Sequence, residues 1–439
     1  MPLDYLPAQH PQRAQLHNEI HARPPEALAA PVAIAHIVMW ADAAQREASR
    51  AHLAALLRDQ HQAMPDAHST HLRANLGGFR LRWELHTEFV TWTFSVPLPA
   101  DAWNQRAPAA ATEAVPREWL SQLPGLCLCQ LQLWVLPTRE YDELPQLGEL
   151  LREDSLVASS VAQGHGEVFT DFCVHADGSS RMVLLAGSMA PRRLGRLVQR
   201  LLEIETYRMA ALLGLPVARE AAAVLGRAEQ ELAALADAIR SADRDMEPEL
   251  LDRLTRLAGQ VESQYAATQA RFSASSAYFE LVDLRIRDIA ESRLGGMQTI
   301  GDFMDRRLSP ARSTCEWVAR RQNALSQRVS RISNLLRTRV EIEQQQSSQA
   351  LLATMNQRQD LQLKLQSTVE GLSVAAITYY IVGLVSYLAK GAQKLGWPWS
   401  AESTAAVAIP LVAGSVWWSP RVRQWGPATP WSPRPTARP

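Results

Sequence analysis

The sequence predicts an N-terminal α/β sandwich domain, then a region of long helices, and finally a C-terminal two-helix transmembrane hairpin. Strand-like runs alternate with helical ones up to about residue 190, and strand patterns nearly vanish after Pro191. Residues 371–389 contain no charged side chain. We therefore expect four segments: a cytosolic domain over residues 1–190, a helical or coiled-coil stalk over 191–366, the hairpin over 367–420, and a disordered tail rich in proline and arginine over 421–439.

The N-terminal domain is predicted from short runs rich in apolar and β-branched residues. A helix is expected over residues 43–62, with Leu53, Leu56 and Leu57 as its apolar positions. Residues 79–97 fit either a strand pair or one long bent strand. Six or seven strands with intervening helices indicate the α/β class, although periodicity does not determine their order. The predicted strands are 31–40, 79–89, 90–97, 126–136, 156–162, 167–175 and 181–186.

Two of the four cysteines fall in one predicted strand. Cys127 and Cys129 are two residues apart, so both thiols are expected on the same face, beside Leu131 and Leu133. Buried free cysteine is the ordinary interpretation of such a pair. The low cysteine content is compatible with a reducing cytoplasm.

The helical region begins at Pro191, which is well placed in the first turn of a helix. Residues 214–216, Gly-Leu-Pro, are expected to break that helix. Further breaks are expected at residues 295–296, Gly-Gly, and at residues 309–310, Ser-Pro. Helices are predicted between these breaks, over residues 217–241, 248–269 and 273–293.

Residues 311–370 contain neither glycine nor proline, which permits one helix about 90 Å long. A heptad seam begins with Leu325, Val329, Ile332 and Leu336, and its continuation over residues 339–360 is largely polar. Either the register slips, or these polar residues face solvent or a water-filled space between subunits. A kinked antiparallel helix pair is the alternative. We expect a homo-oligomer through this helical region.

The predicted membrane segment spans about 28 Å as a helix, close to the thickness of a bilayer core. This first span includes Gly371, Tyr379, Tyr380 and Gly383. A second apolar run over residues 403–418 spans only if it starts near residue 397 and carries Glu402 near an interface. Tryptophans flank the second run as an aromatic belt would. The alternative interpretation of the first run is a buried core helix.

The orientation of the hairpin follows from its flanking basic residues. Two basic residues, Lys390 and Lys394, lie in its loop. Six flank it on the other side of the membrane, which predicts that both termini face the cytoplasm. The six are Arg358, Lys364, Arg421, Arg423, Arg434 and Arg438. The formal net charge of zero gives no indication of a nucleic-acid partner, so the expected partner is the lipid bilayer.

Four short motifs are distinctive: residues 18–24 (NEIHARP), 83–89 (WELHTEF), 306–311 (RRLSPA) and 369–375 (VEGLSVA), the last followed by Tyr379 and Tyr380. With these motifs the chain resembles a bacterial membrane-anchored family catalogued as domain-of-unknown-function family 3422. The likeness runs from the N-terminus through the hairpin and implies an anchor in the bacterial inner membrane, but no catalytic activity.

The domain plan is also distantly similar to that of CorA-type divalent-cation transporters, which place two spans after a long helix. Those transporters carry a Gly-Met-Asn motif after the first span. Here residues 387–391 read Tyr-Leu-Ala-Lys-Gly, so the motif is absent and the likeness concerns architecture alone.

A polar row on a predicted strand is the first candidate site. Arg80, Arg82, Glu84, His86 and Glu88 share one parity, so they are expected on one face, opposite an apolar face that includes residues 79, 81, 83, 85 and 89. The row is either a solvated sheet face with charge pairs or a site. Two carboxylates and an imidazole suffice for a divalent cation or for proton handling when partly buried.

The N-terminal motif supplies a second set of candidates. His17 and His21 lie four residues apart and could bind one metal from a helix, together with His86. If the strand row is a site, Glu19, His21 and Arg23 are the expected partners of its charges. The other interpretation is that this motif caps or tethers the N-terminal segment.

Two function classes remain open. One is a cytosolic binding or scaffold module anchored at the membrane, and the other is an oligomeric CorA-like ion transporter or channel whose first span lines the pore. The sequence contains no G-x-S-x-G elbow, kinase motif or Gly-rich phosphate loop, which argues against an enzyme of those classes.

Overall fold

The structure, a computed structural model, describes residues 10–14, 16–17, 24–66, 69–100, 108–137, 147–241, 246–396 and 398–424. The chain divides into two compact units, Met1–Asn334 and Leu335–Pro439. The segment boundaries expected from the sequence, at residues 190, 366 and 420, stay predictions.

The described part of the first unit contains a nine-stranded mixed sheet in the order β2-β3-β4-β1-β5-β8-β7-β6-β9. Only β5 and β8 pair in parallel among these strands; the other neighbours are antiparallel. This confirms the predicted combination of sheet and long helices. The strands are β1 Val32–Trp40, β2 His71–Asn75, β3 Arg80–Leu85, β4 Phe89–Pro97, β5 Leu126–Leu136, β6 Val157–Val161, β7 Gly166–Thr170, β8 Ser180–Leu185 and β9 Ser292–Arg293.

Both faces of the sheet are covered. On one face, Leu53 and Leu57 pack with Trp83 and Trp92 in the main hydrophobic core. The helix that carries these leucines is capped at its N-terminus by Asp42, whose side chain accepts a hydrogen bond from the Gln45 backbone N–H at 2.8 Å. The helices of the described chain are α1 Ala43–Asp59, α2 Arg117–Ser121, α3 Leu147–Leu150, α4 Pro191–Leu212, α5 Gly214–Ser241, α6 Glu247–Asp288, α7 Ile300–Arg307, α8 Ser309–Gln393 and α9 Ala401–Gln424.

The opposite face carries a smaller cluster that includes Val38, Phe89 and Cys129, with Tyr207 of α4 and Tyr278 of α6 against it. Helices α4 and α6 pack against each other, and α4 contacts β5. The polar candidates of β3 face this helical layer. Glu84 lies opposite Thr91 of β4, which lies opposite Val38 of the smaller cluster, and paired residues share a face of the sheet.

The cysteine prediction is wrong in one respect. A bulge shifts the pairing of β5 between Cys129, which lies opposite Val38, and Cys127, which lies opposite Met39. Cys129 is therefore buried whereas Cys127 is exposed, and both thiols are free. Burial raises the pKa of the Cys129 thiol well above its usual value, as expected for an inert core thiol.

The predicted helix breaks fall close to the observed ends. Helix α4 ends at Leu212, and α5 begins at Gly214, where a Cβ atom would lie 2.6 Å from Ser275 Oγ of α6. Helix α6 runs unbroken where two helices were predicted, because no glycine or proline separates residues 269 and 273. It ends at Asp288, before Ala290 with a φ of 47°, and not at residue 293.

Helix α8 continues without a break from Ser309 to Gln393, so the predicted alternative of a kinked antiparallel pair within it is wrong. In the first unit, Leu325 and Val329 of the predicted seam are buried. In the second unit, residues 344–373 are all exposed. Those residues therefore make no close-packed core within the described chain.

Candidate functional site

The predicted polar row divides between a strand and a turn. Strand β3 ends at Leu85, so alternation places Arg80, Arg82 and Glu84 on one face, whereas His86 and Glu88 belong to the turn into β4. The His86 N–H donates to the Phe89 carbonyl at 2.9 Å and closes this turn. Of the two interpretations of residues 79–97, the strand pair is confirmed and the long bent strand is wrong; the turn lies at residues 86–88, before the expected boundary after residue 89.

The turn also changes which face Phe89 occupies. Phe89 pairs with Trp40 and packs in the cluster beneath α4 and α6, whereas Trp83 packs in the main core on the other face. The prediction that these two aromatic residues share a face is therefore wrong. The His86 ring stacks on Phe89 with 4.5 Å between ring centroids, which keeps His86 beside the helical layer.

The charges on β3 are paired, and one of the two pairs is largely buried. Arg82 Nη2 donates to Glu84 Oε1 at 2.7 Å, and each side chain is only 13% exposed. Arg80 Nη1 donates to Glu26 Oε1 at 2.7 Å from the segment that precedes β1. Burial of this kind requires charge pairing, because an isolated carboxylate or guanidinium would lose its hydration without compensation.

His36 of β1 lies in the same polar layer and was not singled out from the sequence. Its Nδ1 lies 2.8 Å from Thr93 Oγ1, and its Nε2 lies 2.9 Å from Thr206 Oγ1 of α4. Thr206 Oγ1 itself donates to the Leu202 carbonyl at 2.9 Å, so it accepts from the Nε2–H of His36. Thr93 then donates to Nδ1, and the imidazole is neutral.

Burial lowers the pKa of His36 to about 3, although the nearby Glu84 carboxylate opposes that shift. The only sequence signal for His36 is a single polar residue within the apolar run of residues 31–40. Such a residue on a buried strand must find hydrogen-bond partners, which Thr93 and Thr206 supply.

Glu88 connects the β3–β4 turn to α6. Its Oε2 accepts hydrogen bonds from Arg271 Nη2 and Tyr278 Oη, both at 2.8 Å. The Arg271 guanidinium lies 5.0 Å from the centroid of the Trp40 ring, in a cation–π contact. Burial and the hydrogen bond to Glu88 raise the pKa of Tyr278. Glu88 is therefore engaged by the helical layer rather than directed at solvent.

The N-terminal candidates Glu19, His21 and Arg23 lie outside the described residues, and His17 is exposed. The chain that directly follows them reaches the candidate site, because the Pro24 carbonyl accepts a hydrogen bond from the Arg73 guanidinium of β2. Arg73 lies opposite Arg82, and Glu26 pairs with Arg80 as described above.

Metal binding is not supported by the described side chains. Within the ranges that the structure covers, no three His, Cys, Asp or Glu side chains lie close enough together to hold a metal ion. The described geometry instead joins guanidinium groups, carboxylates, a neutral imidazole and hydroxyl groups in one polar layer. Such a layer can fix neighbouring elements and can offer hydrogen bonds to a polar ligand.

Two helical stretches are long and apolar enough to cross a membrane, Pro191–Ser241 and Ile300–Gln393. A core helix of a soluble domain can pass the same test of length and composition. In the described residues the apolar stretch of α9, Ala401–Val416, is shorter, so its length does not support the predicted two-helix hairpin.

The four residues predicted for the first span all lie in α8. Tyr379 and Tyr380 are exposed, with their rings edge to face and 5.9 Å between centroids. A Cβ atom added at Gly371 or Gly383 would meet nothing within 4 Å. The two tyrosines therefore lie on the helix surface, and there is room for a side chain at both glycines.

Comparison with known proteins identifies a family but no activity. Neither a curated protein nor a solved structure matches the chain, so the expected likeness to CorA-type transporters is not supported. The model of one family, described as a protein of unknown function and designated DUF3422, matches residues 8–424. The chain therefore belongs to the DUF3422 family.

Proposed function

We propose that this protein is an integral membrane protein of the bacterial inner membrane, with a cytosolic binding or scaffold module anchored by its C-terminal segment. The observation that carries the proposal is the exposure of most of residues 371–389, a stretch that contains no charged side chain. Leu372, Tyr380 and Leu384 are 68%, 75% and 63% exposed. An apolar surface of this kind on a soluble chain would favour association or aggregation, and a bilayer would cover it.

The other helical stretch that is apolar enough has a different explanation. In Pro191–Ser241, residues such as Leu194, Leu201 and Leu225 are buried within the first unit. These side chains already lie away from water, so their apolar character supports a core role. This contrast supports α8, rather than α4 or α5, as the helix that we propose to span the membrane.

We further propose that α9 returns the chain across the bilayer, so that both termini face the cytoplasm. Support comes from the apolar run of residues 403–418, from the tryptophans around it, and from the six basic residues outside the hairpin against two in its loop. Reporter fusions after residue 439 and within residues 390–400 should report opposite sides of the membrane. The same side for both fusions would contradict the hairpin.

Membrane fractionation tests the anchor. Full-length protein and a variant lacking only residues 425–439 should remain in the membrane pellet after carbonate and high-salt extraction. A variant lacking residues 371–439 should become soluble. Retention of that variant in the pellet would contradict the proposal, because it would require a membrane-binding element within residues 1–370.

We propose that Glu19, His21 and Arg23 complete the polar layer around Glu84 and His86 and make it the binding site of the module. The positions of Pro24 and Glu26 beside β2 and β3 support this proposal. The alternative is that these contacts only tether the N-terminal segment to the sheet and bind no ligand.

Metal analysis of purified full-length protein, of His86→Ala and of the exposed control His61→Ala separates two forms of this site. A divalent cation lost only in His86→Ala would make the site a metal site. Equal metal content in all three would leave a polar site centred on the Arg23 cation. An Arg23→Ala variant with unchanged metal content and unchanged stability would contradict any role for the N-terminal motif.

A further inference from the structure

An exposed stripe runs along α8 from residue 351 to residue 372, which lies in the first turn of the proposed membrane span. We define the stripe by residues spaced alternately four and three apart, so that they lie on one side of the helix. All of its members are exposed, and five of the seven are apolar. The members are Leu351, Met355, Arg358, Gln362, Leu365, Val369 and Leu372.

The spacing is that of a coiled-coil seam in which leucine occupies three of the four d positions. The a positions are Met355, Gln362 and Val369. Leucine at d with a β-branched residue at a favours two parallel strands. This register is offset by two residues from the one that begins at Leu325, so the largely polar continuation of that earlier seam is not the face available for association.

Solvent and lipid each fit the stripe poorly. A long helix in water depends on packing of its apolar face, because intrinsic helix propensity alone stabilises it only marginally. Insertion of the stripe into lipid is disfavoured by Arg358 and Gln362 at its centre. A second helix with the same stripe would cover the apolar members, and the two Gln362 amides could hydrogen-bond across the interface.

The orientation of such a pair follows from continuity. Helix α8 runs without interruption from the stripe into residues 371–389. If these residues span the membrane as proposed above, two copies in one bilayer present their stripes in parallel and at the same height. This is the arrangement that the a and d residues favour.

We propose that the stripe pairs with the stripe of a second copy of this chain in a parallel coiled coil. This inference rests on the proposed membrane anchor for its orientation. Arg358 faces its own counterpart in this arrangement, so the natural sequence keeps the association weaker than an apolar residue would make it.

Cysteine cross-linking in full-length protein tests the contact directly. Leu365→Cys lies on the stripe, whereas Leu363→Cys lies on the opposite side of the helix; the native side chains are 68% and 61% exposed. Mild oxidation should give a covalent dimer with Leu365→Cys, beyond the background of wild type with its exposed Cys127. Equal cross-linking of the two variants, or none above wild type, would overturn the proposal.

A second variant tests the pairing without an added thiol. Arg358→Leu should raise the affinity between copies by about tenfold or more, because it replaces two like charges that face each other with buried apolar surface. Asn356→Leu, off the stripe, should leave the affinity unchanged. Equal effects of the two substitutions on the monomer–dimer equilibrium in detergent would contradict the stripe.

Carbonate extraction of the same samples separates this inference from the proposed function. Protein that stays in the membrane but remains monomeric would overturn the coiled coil and leave the anchor standing. Protein that leaves the membrane but still cross-links through Leu365→Cys would overturn the anchor and support the pairing.

Discussion

The buried neutral imidazole of His36 makes the stability of the first unit depend on pH. Its pKa is lowered from 6.5 to about 3 in the folded protein, so the unfolded chain binds a proton that the folded chain does not. Stability from this group is therefore fully present above pH 6.5 and falls as the pH drops toward 3. Protonation of the folded state would need Nδ1 to donate, but Thr93 already donates to it in the neutral arrangement.

The magnitude follows from the shift in pKa. Each pH unit between 6.5 and 3 removes about 1.4 kcal/mol from the free energy of unfolding. Between pH 7.5 and 5.5 the loss from His36 alone is thus about 1.4 kcal/mol, because only the unit from pH 6.5 to 5.5 lies below the pKa of the unfolded chain. Other titrating groups add their own terms, so a difference between variants is required.

Denaturant unfolding of the full-length protein in detergent, followed by tryptophan fluorescence, measures this difference. Wild type and His36→Asn are compared at pH 7.5 and 5.5, with His61→Asn as the matched exposed control. The stability advantage of wild type over His36→Asn should shrink by about 1.4 kcal/mol at the lower pH. An advantage that is the same at both pH values would refute the assignment of a neutral buried imidazole.

Two further substitutions test the packing around the site and the helical layer. Glu88→Gln should lower the free energy of unfolding by about 1–3 kcal/mol, because it weakens two hydrogen bonds to α6. The exposed control Glu220→Gln should change that free energy little. Equal effects of the two substitutions would contradict the role of Glu88. Gly214→Ala should cost about 1–3 kcal/mol, because its Cβ would lie 2.6 Å from Ser275 Oγ, as a thermal unfolding curve would report. Gly226→Ala, where the nearest atom is 3.9 Å away, should be neutral or stabilising by up to about 1 kcal/mol, and a similar loss at both glycines would exclude the close approach as the cause.

Strong local signals made part of the fold predictable. Strand β5 was predicted at its observed bounds because a long apolar run is bordered by turn residues on both sides. Strand β2, His71–Asn75, was missed because its short sequence lacks apolar alternation and takes its place by pairing with β3. Local patterns therefore located the strands that carry their own hydrophobic face, and not the edge strand that depends on a neighbour.

The same distinction applies to the bulge in β5. Period-two alternation predicted a common face for Cys127 and Cys129, but a one-residue shift in pairing separates them. The signal for that shift lies in the contact of β5 with β1, not within β5. Strict alternation is reliable only where no bulge interrupts the ladder.

In the candidate site, alternation correctly brought Arg82 and Glu84 to one face, and their 2.7 Å contact is local. The contact of Glu88 with Arg271 joins residues 183 positions apart, and no spacing rule predicts it. It requires the β3–β4 turn and α6 to be placed by the packing of the whole first unit. The sequence therefore supplied the row of charges, whereas the tertiary fold decided which partner each charge has.

These partners argue against a fully solvated face and are compatible with the proposed binding site. A solvated face would leave its charges in water, yet Arg82 and Glu84 lie mostly buried and bonded to each other. Removal of one member of such a pair leaves the other buried without compensation, which costs more than the pair itself contributes to stability. A ligand that separates Arg82 from Glu84 must therefore replace the partner that each one loses, with an anionic group for Arg82 and a cationic group for Glu84. Glu88 already accepts hydrogen bonds from Arg271 and Tyr278, so we expect recognition at the proposed site to proceed by exchange of hydrogen bonds rather than by neutralisation of an unpaired charge.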